Sequence, residues 1–294
     1  MRLATLKTDQ GERAFVAEEF GLVPVTAVGV ELKQSLPEDL FALIETGALE
    51  VLKEWYRSGG KERLKQFQSK SISWEQAQFG PLYRRPRKIW GIGLNYKAHA
   101  ADLSEKAPET EPASFMKPDT TIIGPGDTIQ IPLQSEKTTA EAELGVIIGR
   151  QCRNVKRAQW LDVVAGFTTI IDMTAEDILR RNPRYLTRSK SFDTFFSFGP
   201  VLVTPDEVPD VLRLNVATVT NGRVHATNVI ANMTFPPDYL VSFHSEVMTM
   251  LPGDVISTGT PGAVPIAEGD KVECRIDGFP TLANAVKDLK LWKS

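Results

Sequence analysis

Two cysteines in 294 residues, Cys152 and Cys274, leave no material for a disulfide framework, and neither sits in a closely spaced ligand pair or a redox motif. That scarcity predicts a reducing, cytoplasmic setting without structural zinc. An excess of one charge is also missing: 34 basic against 37 acidic residues give a formal net charge of −3, so composition recommends no nucleic acid as partner. No run approaches the roughly 18 apolar residues that a membrane span requires, and the opening MRLATLKTDQGERAF lacks the long apolar segment of a secretory signal. The expectation is a cytoplasmic protein that binds neither membrane nor nucleic acid. Two further patterns are lacking. Gly91-Ile92-Gly93 does not continue into a dinucleotide fingerprint, because the third glycine and its helix are absent. The regular strand and helix alternation of a doubly wound domain is absent too.

What is present is a 42% hydrophobic chain long enough for a substantial core. Residues 1–85 read as an N-terminal accessory region. It has β-rich stretches at Ala14 to Val16 and Gly21 to Val28, then apolar residues at helical spacing from Pro37 to Tyr56, broken by Gly47. Residues 86–294 read as a mostly β catalytic domain. Lys88 to Gly93 is a strand entering a loop, and short β-like runs follow at 121–123, 128–131, 143–148, 163–171, 201–203, 212–219, 255–257 and 272–276. Gly126-Asp127, Gly253-Asp254 and Gly269-Asp270 each precede such a run and are turn chemistry.

The chemistry concentrates in carboxylates. In Glu141-Ala142-Glu143-Leu144, strand alternation puts both glutamates on one face while Ala142 and Leu144 pack behind it. A second apolar run, Gly166 to Ile171, ends in Asp172. If the two strands are neighbours, the three acids surround one cation, and oxygen ligands completed by water or substrate suit Mg²⁺ or Mn²⁺. A solvent-exposed strand edge is the other reading of paired glutamates. After Asp172, Thr174 reads as a helix cap with Asp177 reaching back to the exposed amides, which makes Asp177 structural rather than a fourth ligand.

These residues belong to an ordered series: Gly93-Leu94-Asn95-Tyr96-Lys97-Ala98-His99, Glu141 to Leu144, Ala165 to Asp172, Lys190 to Phe195, Gly199-Pro200, Asn221-Gly222, and Leu251 to Asp254 through Thr260 to Gly262. The series resembles the fumarylacetoacetate hydrolase family over residues 88 to 287. The resemblance implies a mixed α/β, predominantly β fold: a β-roll catalytic domain with a smaller N-terminal region, commonly dimeric. It also implies Mg²⁺ or Mn²⁺ on Glu141, Glu143 and Asp172, and a small anionic dicarbonyl or 2-oxo acid as substrate. Carbon–carbon bond hydrolysis of an acylpyruvate-like acid is the leading activity; decarboxylation, isomerisation or hydration of a 2-oxo dioate, or weakly catalytic ligand binding, are alternatives.

By the same correspondence, His99 is the general base that activates water, and Asp102 orients it where many relatives carry glutamate. Lys190 binds a substrate carboxylate or stabilises an enolate, and Thr260 donates a hydrogen bond to substrate. Glu176 and Leu179 stand where many relatives have arginine and glutamine, and Ala226 and Ile230 also depart from the pattern. The arginines at 180, 181, 184 and 188 can restore the lost positive charge, with Arg188 beside Lys190 the nearest candidate for substrate binding. Solvent-facing or dimer-rim arginines are the other reading of that cluster.

Overall fold

A computed structural model describes residues 1–97 and 108–292. The chain opens with three antiparallel strands, β1 (Arg2–Thr8), β2 (Gly11–Glu18) and β3 (Gly21–Pro24). The β reading of Gly21 to Val28 holds only to Pro24, since Val25–Leu32 is a helix. Its β-branched residues suggest a strand by type, but Val25, Val28 and Gly29 recur at helical spacing and are buried together. Pro24, with φ −56°, turns the chain into that helix. The helical stretch broken at Gly47 resolves into Leu40–Glu45 and Ala48–Trp55, with Gly47 at φ 77° between them. The first of these is capped by Asp39, whose carboxylate accepts from Ala42 N–H at 2.8 Å.

The remaining strands are β4 (Ile89–Gly93), β5 (Ala113–Lys117), β6 (Ile122–Ile123), β7 (Thr128–Ile131), β8 (Thr138–Ile148), β9 (Val164–Ala175), β10 (Phe196–Val203), β11 (Asn215–Thr220), β12 (Arg223–Val229), β13 (Val255–Ser257), β14 (Ala263–Pro265), β15 (Lys271–Ile276) and β16 (Leu282–Asp288). Among the described residues they form two sheets. The larger runs β3-β2-β1-β10-β9-β8-β13-β4-β5, with β14 also on β8 and β6 on β10; the smaller runs β12-β11-β15-β16-β7. The N-terminal strands therefore continue the same sheet that carries the central pair β8–β9.

That pair decides where everything else goes. Ala142, Leu144, Val146 and Ile148 of β8, with Ile171 and Met173 of β9, pack against Val216, Val272, Cys274 and Leu282 of the smaller sheet. Period-two alternation sends their neighbours to the other face. There Ile147 and Ile170 join a second core with Val16, Val28, Leu43 and Leu52 from the first 85 residues. Glu141, Glu143 and Asp172 share this face by the same alternation, further along the strands, where the apolar cover gives way to polar side chains. β9 does not end at Asp172 as the apolar run suggested. It stays paired with β8 through Ala175 opposite Thr138, so Asp172 lies inside a strand rather than at its tip.

Candidate metal centre

Glu141 lies directly across from Asp172 in the β8–β9 register, and Glu143 lies one same-face step along, opposite Ile170. Each of the three carboxylates offers an oxygen, and these oxygens all fall within 4.8 Å of one another. Glu143 and Asp172 are buried and Glu141 partly so. The solvent-exposed edge reading therefore does not apply. Burial, followed by the charges of Asp172 and Glu141, pushes the Glu143 carboxyl up to about 8. Asp172 Oδ1 is buried and meets the Lys117 ammonium at 2.6 Å. Such clustering of three acids, two of them fully buried, with one oxygen of each within reach of a common point, fits an oxygen-liganded divalent cation.

Two lysines complete the cluster. Lys190 Nζ lies 2.6 Å from Asp172 Oδ2 and 3.0 Å from Glu141 Oε2. Burial works against its charge, but Asp172 and Glu141 outweigh that and hold its pKa above the ordinary lysine value. Lys117 Nζ makes an ion contact of 2.6 Å with Asp172 Oδ1 and donates to Met173 O at 3.3 Å. In its case burial prevails over the attraction of Asp172, and its pKa falls to about 8. The two ammoniums overcome the burial of Asp172 and keep that carboxyl below its usual range. The ring of Phe115, from the same strand as Lys117, lies with its centroid 4.8 Å from Lys190 Nζ.

The sequence reading placed the triad and Lys190 together, and the structure does so as well. It did not find Lys117, although Phe115 and Lys117 alternate on one face of a short strand, which is the signal that could have found them. Thr174 is not the helix cap that its position suggested. It is still in β9, and its hydroxyl donates to Glu141 Oε1 at 2.9 Å, leaving Glu176–Arg181 to begin without a side-chain cap. Asp177 accepts from Ser135 Oγ at 2.8 Å and stands outside the acid cluster.

Thr260 is buried in the loop after β13, with its hydroxyl 3.2 Å from Gly262 O and 3.5 Å from Thr218 Oγ1. Arg188 is exposed on the short helix Leu186–Lys190, whose last two residues turn inward. Glu176 does not stand as a free negative charge. It is paired with Lys137 at 2.8 Å and Arg180 at 2.6 Å. Ala226 lies against the Thr260 loop, since a Cβ on Gly262 would meet its methyl at 2.5 Å. His99 and Asp102 lie outside the described residues.

The family model described as the C-terminal domain of fumarylacetoacetate (FAA) hydrolase matches residues 88–287. A mitochondrial oxaloacetate tautomerase of Rattus norvegicus is 30% identical over 296 residues, covering 97% of this chain and 91% of its own. Among solved structures, maleylpyruvate hydrolase from Sphingobium sp. SYK-6 in complex with manganese(II) ion and pyruvate superposes with a TM-score of 0.79. It is 28% identical and covers 98% of this chain and 99% of its own. The 5-carboxymethyl-2-hydroxymuconate delta-isomerase of Mycobacterium smegmatis gives a TM-score of 0.75 at 29% identity, covering 98% and 99% of the two chains.

Proposed function

The chain belongs to the fumarylacetoacetate hydrolase family, and from that premise we propose that it is a divalent-metal-dependent enzyme that carries a small anionic 2-oxo dicarbonyl acid through its enolate. The observation that supports this most is the charge pattern of Glu141, Glu143, Asp172, Lys117 and Lys190. With every group ionised, three carboxylates against two ammoniums leave one net negative charge. A divalent cation turns that into one net positive charge, which a substrate carboxylate balances. Mg²⁺ or Mn²⁺ held by the triad supplies Lewis acidity toward the substrate's oxygens.

The chain's own residues then divide the work. Lys190, held charged by Asp172 and Glu141, stabilises negative charge developing on an enolate oxygen. Lys117, with its pKa brought down to about 8, can hold or release a proton near neutral pH. Phe115 covers Lys190 on one side and reduces its exposure to water. Thr260 and Arg188 are assigned to the substrate's remaining oxygens. These parts suffice for keto–enol proton transfer, so tautomerisation is the reaction that we place first. Carbon–carbon bond hydrolysis is the second reading. It needs His99 and Asp102 to activate water, and it is favoured by the likeness to a hydrolase bound to manganese(II) and pyruvate. A homodimer stays in the proposal on the family resemblance, and a cytoplasmic setting on the scarcity of cysteine.

The test uses chelator-treated protein with and without Mn²⁺. Loss of enol absorbance from freshly dissolved oxaloacetate reports tautomerisation, and pyruvate release from an acylpyruvate reports hydrolysis. We expect metal-dependent acceleration of the first, abolished by Lys190→Met. Pyruvate release lost on His99→Ala would move hydrolysis to first place. Failure of Mn²⁺ to accelerate either reaction would sink both.

A further inference from the structure

Lys190 reaches one oxygen each of Glu141 and Asp172, and a second group reaches the other oxygen of both. Thr174 Oγ1 donates to Glu141 Oε1, and Lys117 contacts Asp172 Oδ1. Glu143 is held through one oxygen: its Oε2 accepts from Ser257 Oγ at 2.5 Å and from the Gly259 N–H at 2.7 Å, where β13 runs into the loop that follows it. That loop is itself fastened to β8, because the Thr258 N–H and hydroxyl both donate to Leu144 O, at 3.1 and 2.9 Å. It is fastened again by Asn95. The Asn95 amide donates to Thr258 O at 2.7 Å and to Phe235 O at 2.9 Å, while its oxygen accepts from Phe235 N–H at 2.9 Å. Gly259 has φ +97°, and a Cβ there would lie 2.7 Å from the Cβ of Asn95, so the loop and Asn95 pack in direct contact. Ser257, Thr258 and Asn95 are all at least 99% buried, where such hydrogen bonds are costly to break.

We propose that the Ser257–Gly259 loop, fastened by Asn95, is a clasp that withholds Glu143 Oε2 from coordination, so that Glu143 offers Oε1 alone and the centre favours a small octahedral cation, Mg²⁺ or Mn²⁺, over Ca²⁺. Ser257 and Asn95 are positioning residues; neither is placed against substrate. The inference rests on the metal-centre reading above. Its physical basis is that Ca²⁺ accepts six to eight oxygens and readily takes both oxygens of one carboxylate, whereas the smaller cations demand near-octahedral single contacts. A Glu143 released from its clasp can swing to present both oxygens. It also loses the orientation that outer partners give a ligand, which is typically worth about 10- to 100-fold in affinity.

The test measures Mn²⁺ affinity of the full chain by electron paramagnetic resonance of free Mn²⁺, then repeats it in competition with Ca²⁺. We expect Ser257→Ala to lose about 10-fold in Mn²⁺ affinity and to lower the Mn²⁺/Ca²⁺ preference, with Ser257→Thr restoring both and Asn95→Ala acting in the same direction. Ile256→Ala, which removes core packing beside the clasp without touching Glu143, should lower the melting temperature and leave the preference unchanged. Where Asn95→Ala does not fold, Ser257→Ala decides alone. A folded Ser257→Ala with wild-type affinity and preference overturns the clasp, as does an equal loss in Ile256→Ala. A wild-type chain that binds no Mn²⁺ overturns the metal centre itself, and is told apart from failure of the clasp because the variants then have nothing to lose.

Discussion

Buried single residues carry consequences away from the metal centre as well as within it. His244 is buried against Trp90, with ring centroids 4.6 Å apart, and its Nδ1 lies 2.8 Å from Leu240 O. A carbonyl only accepts, so Nδ1 bears the proton and Nε2 is left as a buried lone pair with no hydrogen-bond partner among the described residues. Burial accordingly holds the imidazole pKa below 6.5. The sign follows from linkage. In the unfolded chain the ring takes up a proton as pH falls through 6.5, while in the folded chain it stays neutral to lower pH. Its contribution to stability is complete above pH 6.5 and is lost on acidification, at a limiting slope of about 1.4 kcal/mol per pH unit. His244→Asn keeps a donor for Leu240 O and cannot titrate. Melting temperatures taken between pH 8 and pH 5.5 should fall more steeply for the wild type than for this variant, whatever their starting difference. Parallel curves would remove His244 from the account.

Between elements, the closest fit beside the metal centre is that of β4 on β5. Gly91 pairs with Phe115, and a Cβ at Gly91 would lie 2.2 Å from the tip of that ring. The glycine is thus the space in which Phe115 lies flat, next to Lys190. Gly91→Ala should cost about 1–3 kcal/mol by overpacking and, by moving the ring off Lys190, lower turnover as well. Adding Phe115→Ala to the same chain should recover part of the lost melting temperature but not the turnover. Additive losses in the double variant would show that the two residues do not share this space. None of this was legible in Gly91-Ile92-Gly93, which as a sequence says only turn or strand end. Alternation was readable wherever one strand face is apolar, so Glu141 and Glu143 were placed correctly on β8 and Asp172 was rightly set beside them. Lys117 was missed because its partner, Asp172, is 55 positions away. Thr174 was misread because hydroxyl residues before acidic ones signal a cap locally, whereas β8 pairing holds Thr174 extended and turns its hydroxyl to Glu141. Val25 to Val28 was misread because residue type favoured a strand and the helical spacing of the buried side chains becomes visible only against a core.

At the scale of the whole molecule, the first 85 residues are bound to the rest by both hydrogen bonds and burial. β1 pairs with β10 at Leu3 opposite Leu202 and Ala4 opposite Val201, which makes β10 an interior strand. Leu3, Val16, Val28, Leu43 and Leu52 cover Ile147, Ile170, Phe196, Phe198 and Leu202, all of them fully buried. The family match begins at residue 88, yet the rat relative aligns with 97% of the chain. A chain starting at residue 86 would expose those five side chains, at about 1.5–3 kcal/mol each, and would leave β10 as an open edge able to pair with other molecules. Losses of that size are comparable to the whole net stability of an ordinary domain, about 5–15 kcal/mol, before the broken ladder is counted. We expect the truncated chain to aggregate or to show no cooperative calorimetric transition, and to bind Mn²⁺ weakly, because Asp172 on β9 is paired on one side to β8 and on the other to Phe196 of β10. Size-exclusion chromatography and calorimetry decide the matter. A monodisperse, cooperatively melting fragment with wild-type Mn²⁺ affinity would show instead that the N-terminal region is dispensable and that β8 and β9 hold the carboxylates without it.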